Sequence, residues 1–593
     1  MHVLDALEAA WILFIFLMTL FWVPAHLFSR QPNADAIMRI AGNGARMVLC
    51  VTAAVVLLAR LRALNSTTVT LLFAGSLTAA WLGRNARSPI RLWERLQTTT
   101  ISTLRWFETL SYGLYLLPRA RKTIPAGSGA RSRMNRWMLV LERKELLVTC
   151  LAVVLLMTGI LAAEHAIREL RLDQPEQYSV LLHARQLILN LPVGGQRLVF
   201  PAVIATNSLL SARDPMQVTR FLSPAIAMLT VLATGLLIRA CTRFGVACLA
   251  AMYCLGAAAF PPVRSDPVVA MSLTQKLESV LRVSPVSLRA TPEFGLGLLF
   301  LLLALAVLVD WYKNSRNWDS LLDFTCCLVL VGLVSRSLLL ILVMAAGVLL
   351  LQPMIGLVAL VVVCYGLAAY GTLAPSTIDP SSALTVLPIA AAVAIGCLFA
   401  LTEAILVPLS GRVVAQVALL LAGLALAVFW FPPRRFPRQC LEYEAAARVT
   451  QRIAHGFPRQ EWVVAAPVEQ FAETFGLGAH EDLAGFVEKY QNQVSNSEFR
   501  FLDAREDLFI YVEKRPFQIF SREPETISFP VLMDVTYRSY RSPGGRASLE
   551  LAALQLCENY RQYHSDADIF FEDEDLRVYH IHQQAWEMGK TGY

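Results

Sequence analysis

Long apolar runs recur through roughly the first 430 residues of the chain, separated by polar turns and loops, and the remainder lacks them. The first three runs, 8–28, 46–64 and 67–83, each have about the length that a helix needs to cross a bilayer. Further runs lie at 146–163, 218–238, 244–260, 294–309, 354–373, 384–402 and 413–431. Residues 320–352 are too long for one ordinary span and are interrupted by Ser335-Arg336-Ser337, which predicts two spans joined by a tight turn. The pattern predicts a polytopic α-helical membrane protein with about twelve spans.

Between the runs the periodicity changes. Val180, Ala184, Leu187, Ile188 and Leu191 recur at helical spacing while His183, Gln186 and Asn190 fall on other faces, predicting a helix that lies flat on the membrane surface. Leu191-Pro192-Val193-Gly194-Gly195 ends it. Asp214-Pro215 opens the next helix, with Asp as N-cap and Pro at the first helical position. In residues 432–593, short runs at 462–466, 508–513 and 576–581 read as strands, and 546–563 as a helix. Glu572-Asp573-Glu574-Asp575 follows 568–571 as a hairpin tip, so this part is a small α/β soluble domain.

Composition agrees with the spans: 56% of the 593 residues are hydrophobic and the mean hydropathy is +0.51. The first run lacks a basic leader and a small-residue cleavage site, so it reads as an uncleaved span. The net charge of +7 is unevenly spread. Residues 84–145 hold 13 Lys/Arg against 4 Asp/Glu, whereas 432–593 hold 18 against 25. The basic block is a topology signal rather than a nucleic-acid surface, and it predicts a cytoplasmic loop in which 101–117 is an amphipathic helix. Counting from it divides the chain into three N-terminal spans (1–83), the basic loop (84–145), a membrane core (146–431) and the soluble domain (432–593). The N-terminus, the loops 164–217 and 261–292, and the soluble domain then face outward. A single tilted span at 320–352 would reverse the last assignment, and Arg434, Arg435 and Arg438 lean the same way. Nine of the 11 cysteines lie in or beside apolar runs; Cys440 and Cys557 form a pair only if their domain is extracytoplasmic.

Candidate chemistry concentrates in Leu172-Asp173-Gln174-Pro175-Glu176-Gln177-Tyr178, two carboxylates around a proline turn just past a span. Charge at a bilayer edge is costly, which marks the pair as a site candidate or as caps of an interfacial helix. Arg220 and Arg289 lie at the same depth, with Asp266 and Glu293 as further loop acids. His580 and His582 share one side of a strand, as two metal ligands do, but no Cys/His set at ligand spacing accompanies them. GxxxxGK[ST], HExxH and GxSxG are absent, and Gly194-Gly195 is a turn rather than a dinucleotide site.

A span, an outer acidic loop ending in Tyr178, a surface helix, Phe200-Pro201 and then Asp214-Pro215-Met216-Gln217-Val218-Thr219-Arg220-Phe221-Leu222-Ser223-Pro224 resemble GT-C-fold glycosyltransferases. Ser284-Pro285 and Arg289-Ala290-Thr291-Pro292-Glu293-Phe294 resemble a later element of some bacterial members, and the likeness covers roughly 146–431. Members such as protein mannosyltransferases and the lipid A aminoarabinose transferase use polyprenyl-phosphate-linked sugars. The resemblance implies a GT-C-like core in a bacterial-type inner membrane that moves a sugar, with inversion, to an envelope lipid, glycan or protein. Asp173 becomes the base, with Glu176 as alternative base, sugar contact or ligand to a divalent metal; no other cofactor is implied. Arg220 and Arg289 become phosphate contacts, and Tyr178 and Arg185 further substrate contacts. Many members have adjacent Asp and Glu, whereas Gln174 and Pro175 intervene here, and three additional spans precede the core. A non-catalytic scaffold of an envelope assembly and a lipid-glycan transporter are the alternatives, the second disfavoured by the almost wholly aliphatic spans.

Overall fold

The computed structural model describes residues 2–28, 36–85, 166, 170–172, 175–193, 198–242, 292–314, 318–351, 398–399, 401–408, 418, 421–422, 443–458, 461–467, 470–495, 499–501, 505–516 and 543–583. Among them, four helices are long and apolar enough to cross a membrane: Asp5–Leu27, Arg39–Arg60, Pro215–Ala240 and Gly295–Tyr312. Residues 86–145 of the basic loop with the predicted amphipathic helix, the runs at 146–163, 244–260 and 354–373, most of 384–402 and 413–431, residues 261–291 of the second loop and Cys440 lie outside the described residues.

Helix α1 (His2–Leu17) passes through a π-helical turn, Met18–Trp22, into α2 (Val23–Leu27). Pro24 accounts for the irregularity, because its ring cannot donate to the preceding turn and the wider turn accommodates it. Helices α3 (Ala36–Arg60) and α4 (Ser66–Asn85) follow. Helix α3 begins ten residues before the predicted run. Its polar stretch is held in the bundle by a buried ion pair: Arg46 Nε donates to Asp323 Oδ1 at 2.7 Å, and Nη2 donates to the Asp319 carbonyl at 2.9 Å. Gly42 faces the same carboxylate so closely that a Cβ would collide with it.

The next helices are α5 (Pro175–Ile188), α6 (Val199–Ser211), α7 (Pro215–Thr242) and α8 (Pro292–Asn314). Helices α9 (Trp318–Val334) and α10 (Arg336–Leu351) are separated by Ser335 alone, at the predicted interruption. Trp11 Nε1 donates to the Ser211 carbonyl at 3.1 Å, and Arg213 lies 3.5 Å from Glu8. Asn190, in the left-handed region at φ 56°, pairs its amide with both backbone groups of Leu64. These contacts gather the start of α1, the α3–α4 turn, α5 and the α6–α7 turn at one end of the bundle.

The C-terminal domain comprises α11 (Glu444–Gly456), β1 (Trp462–Ala466), α12 (Gln470–Gly476), β2 (Ala479–Asp482), α13 (Leu483–Tyr490), β3 (Asp507–Glu513), α14 (Pro543–Tyr563), β4 (Ala567–Glu572) and β5 (Leu576–His582). The sheet runs β2-β1-β3-β5-β4, with β1 parallel to β2 and β3 and the β3–β5–β4 pairs antiparallel. Strand side chains alternate between two faces. Val463, Ala465, Leu508, Ile510, Val512, Tyr579 and Ile581 pack under α13 and α14. Trp462, Val464, Ala466, Phe509, Tyr511 and Val578 pack under α11 and α12, and this second core also takes in Leu172, Tyr178, Leu181 and Met216. The C-terminal domain therefore sits on the same end of the bundle as α5. The expectation of a helix flat on open membrane is revised accordingly: α5 is enclosed, with Val180 and Ala184 in the core of the helical bundle and Tyr178 and Leu181 in the domain core. Cys557, on the buried face of α14, is a free thiol.

Candidate functional site

The acidic stretch lies where the bundle meets the domain. On its N-terminal side, the Leu170 and Arg171 N–H groups donate to Glu444 Oε1 and Oε2 at 2.8 and 3.2 Å, and Arg171 Nε lies 3.3 Å from Oε2. Glu444 stands in the first turn of α11, where the helix dipole favours a carboxylate. The next N–H, that of Leu172, donates to the Tyr178 hydroxyl at 3.0 Å. Tyr178 is buried, its ring 6.2 Å from that of Phe475 in α12. Asp173, Arg289 and the side chain of Glu176 lie outside the described residues; Glu176 belongs to the first turn of α5.

Arg220 lies in α7, buried, within two turns of the helix start. Its Nη2 donates to the Ala166 carbonyl, its Nη1 to Gln217 Oε1 at 3.3 Å, and its guanidinium lies 5.2 Å from the Phe221 ring centre. Its Nε is buried and has no hydrogen-bond partner among the described residues. The carboxylates of Asp5, Glu444 and Glu8 act on this guanidinium from α1 and α11. Pro224, one turn on, cannot donate to the Arg220 carbonyl, which loosens the backbone at this level.

Arg185 does not reach into open space. Its Nη2 donates to both oxygens of Asp214, at 2.8 and 3.1 Å, and Asp214 Oδ1 accepts the Met216 N–H at 2.8 Å as the predicted N-cap of α7. Arg185 thus fixes the turn from which Arg220 projects. Burial pushes the His183 imidazole of α5 down from its ordinary value.

A second cluster lies in the domain. Asp507 Oδ1 accepts from His580 Nε2 at 2.7 Å and from His582 Nδ1 at 2.9 Å. The sequence exposed the two histidines but not Asp507, whose place is set by the β3–β5 register that puts it opposite His582. Glu444 was equally hidden, because nothing local marks it. Arg46 and Asp323, by contrast, stood visibly as charges in or beside apolar runs. No family model, curated protein or solved structure matches the chain.

Proposed function

We propose that the chain is a GT-C-type membrane glycosyltransferase of about twelve spans, acting on the extracytoplasmic side of a bacterial-type inner membrane. The observation that carries this reading is Arg220: a buried guanidinium whose Nε has no partner among the described residues, bonded to the segment that leads into the acidic stretch. A phosphate oxygen is a partner that a planar guanidinium suits. Arg289 is the second phosphate contact.

In this reading Asp173 takes the proton of an acceptor hydroxyl, which attacks the anomeric carbon from the face opposite the carrier. The bond from that carbon to the phosphate oxygen breaks, and polyprenyl phosphate leaves as an anion held by Arg220. A phosphate leaving group needs no strong general acid, so few groups suffice. Glu176 contacts the sugar or shares the role of base. Tyr178 and Arg185 act by shape: one closes the acidic stretch, the other holds the Asp214 cap. The soluble domain, packed over α5, shields the reaction from water.

The test is sugar transfer from a polyprenyl-phosphate donor by the purified chain. Asp173→Asn is expected to keep expression and donor binding while turnover falls about 100- to 10,000-fold, and Glu176→Gln to cost less. Normal turnover in both variants would make the acids helix caps and reject the proposal.

A further inference from the structure

We propose that Asp507, His580 and His582 form a site for a divalent transition-metal ion, zinc above all. The site stands apart from the bundle–domain junction: α11 runs from Glu444, at the junction, to the turn carrying Phe457, which packs against His580, a helix length of about 20 Å.

The sheet builds the constellation. In the antiparallel β3–β5 pair, Asp507 lies opposite His582 and Phe509 opposite His580. Residues two apart on a strand share a face, so all three ligands project from one side of the sheet. The His580 ring stacks on Phe509, centroids 4.6 Å apart and planes within 9°, with the Phe457 and Phe570 rings edge-on to it. That packing fixes the imidazole with Nε2 aimed at the carboxylate. Asp507 is buried and held at its backbone by Glu461, whose carbonyl accepts the Asp507 N–H at 3.0 Å.

Two imidazole nitrogens and one carboxylate oxygen fill three corners of a tetrahedron, and the three ligand atoms lie within 4.8 Å of one another. Bonds of about 2.0–2.2 Å to zinc would set neighbouring ligand atoms about 3.3 Å apart. The present separations of 2.7 and 2.9 Å require an opening of about half an ångström. His582, with a side chain 60% exposed, can open its own separation without disturbing the core, and a small turn of the Asp507 carboxylate opens the other. On binding, each imidazole turns a lone pair to the ion at the nitrogen now directed at Asp507 and carries its proton on the other ring nitrogen. Calcium and magnesium prefer all-oxygen shells, so the donor set selects a zinc-like ion. The fourth corner lies on the solvent side, beside His582, and takes water.

Cobalt(II) is the probe, added to the full-length chain purified in detergent and stripped with a chelator. One equivalent is expected to bind with the intense visible bands of a four-coordinate ion, and zinc is expected to displace it. His582→Ala removes an exposed ligand and is expected to weaken binding at least about 100-fold while the metal-free unfolding temperature stays that of the parent. Asp507→Asn supplies the second variant, with the same loss expected. Absence of cobalt uptake by the parent chain, or equal uptake by His582→Ala, would overturn the proposal.

Discussion

The Leu172 N–H and the Tyr178 hydroxyl meet at 3.0 Å, so the residues on either side of the Asp173–Glu176 stretch are joined by one hydrogen bond. Both partners are buried. Tyr178→Phe keeps the ring against Phe475 but leaves a buried N–H without its acceptor, at a local cost of about 1–3 kcal/mol. Hydrogen exchange of the Leu172 amide is expected to quicken roughly tenfold or more, with the β3 and β5 amides unchanged. Unaltered exchange at Leu172 would mean that this bond does not close the stretch.

Arg220→Lys retains the charge and loses the planar fork. Carrier affinity is expected to fall about tenfold or more while the protein remains folded, measured as binding of a polyprenyl-phosphate sugar to protein in detergent. Full affinity in Arg220→Ala would assign the guanidinium to packing against Ala166 and Phe221.

Asp323→Asn leaves Arg46 buried beside a neutral amide, with Asp319 Oδ1 at 3.7 Å as the remaining anion. Breaking a buried pair from one side costs about 3–5 kcal/mol, whereas apolar replacement of both partners is often neutral. Thermal unfolding in detergent should show a large loss for Asp323→Asn and recovery of most of it when Asp323→Leu is combined with Arg46→Met. A single variant as stable as the parent would show that the pair contributes nothing.

Glu550 is expected to make the C-terminal domain sensitive to pH. Burial, and then the Glu513 carboxylate, push its carboxyl well above the usual carboxylate range, while its bond to the Glu513 N–H and the nearby Arg546 oppose the rise. The folded domain keeps this proton where the unfolded chain has lost it. Its contribution is complete below the ordinary pKa of about 4.3 and shrinks as pH climbs towards the raised value. Protection of the β3 amides in the full chain, corrected for intrinsic exchange, should therefore decline from about pH 5 upwards. Glu550→Gln, neutral throughout, should flatten that decline; an equally steep decline in the variant would place its cause elsewhere.

Hydropathy and periodicity are local quantities, and what they govern was readable from the chain. The apolar runs that fall among the described residues became helices, Asp214-Pro215 became the start of α7, and the short runs at 462–466 and 576–581 became β1 and β5. The break at Ser335 was legible because a polar triplet interrupts an aliphatic run. Partner choice was not. Arg46 and Asp323 are 277 positions apart, and Leu170 and Glu444 are 274 apart. A sequence pattern states which face of a helix is apolar, never which distant segment will cover it. So the sequence alone could predict α5 as amphipathic but not that a domain beginning some 250 residues later would enclose it. Asp507 shows the same limit within one sheet. His580 and His582 share a face because a strand has period two, whereas the carboxylate between them is there because β3 pairs with β5 in one register, and register is settled only when both faces of the sheet are packed.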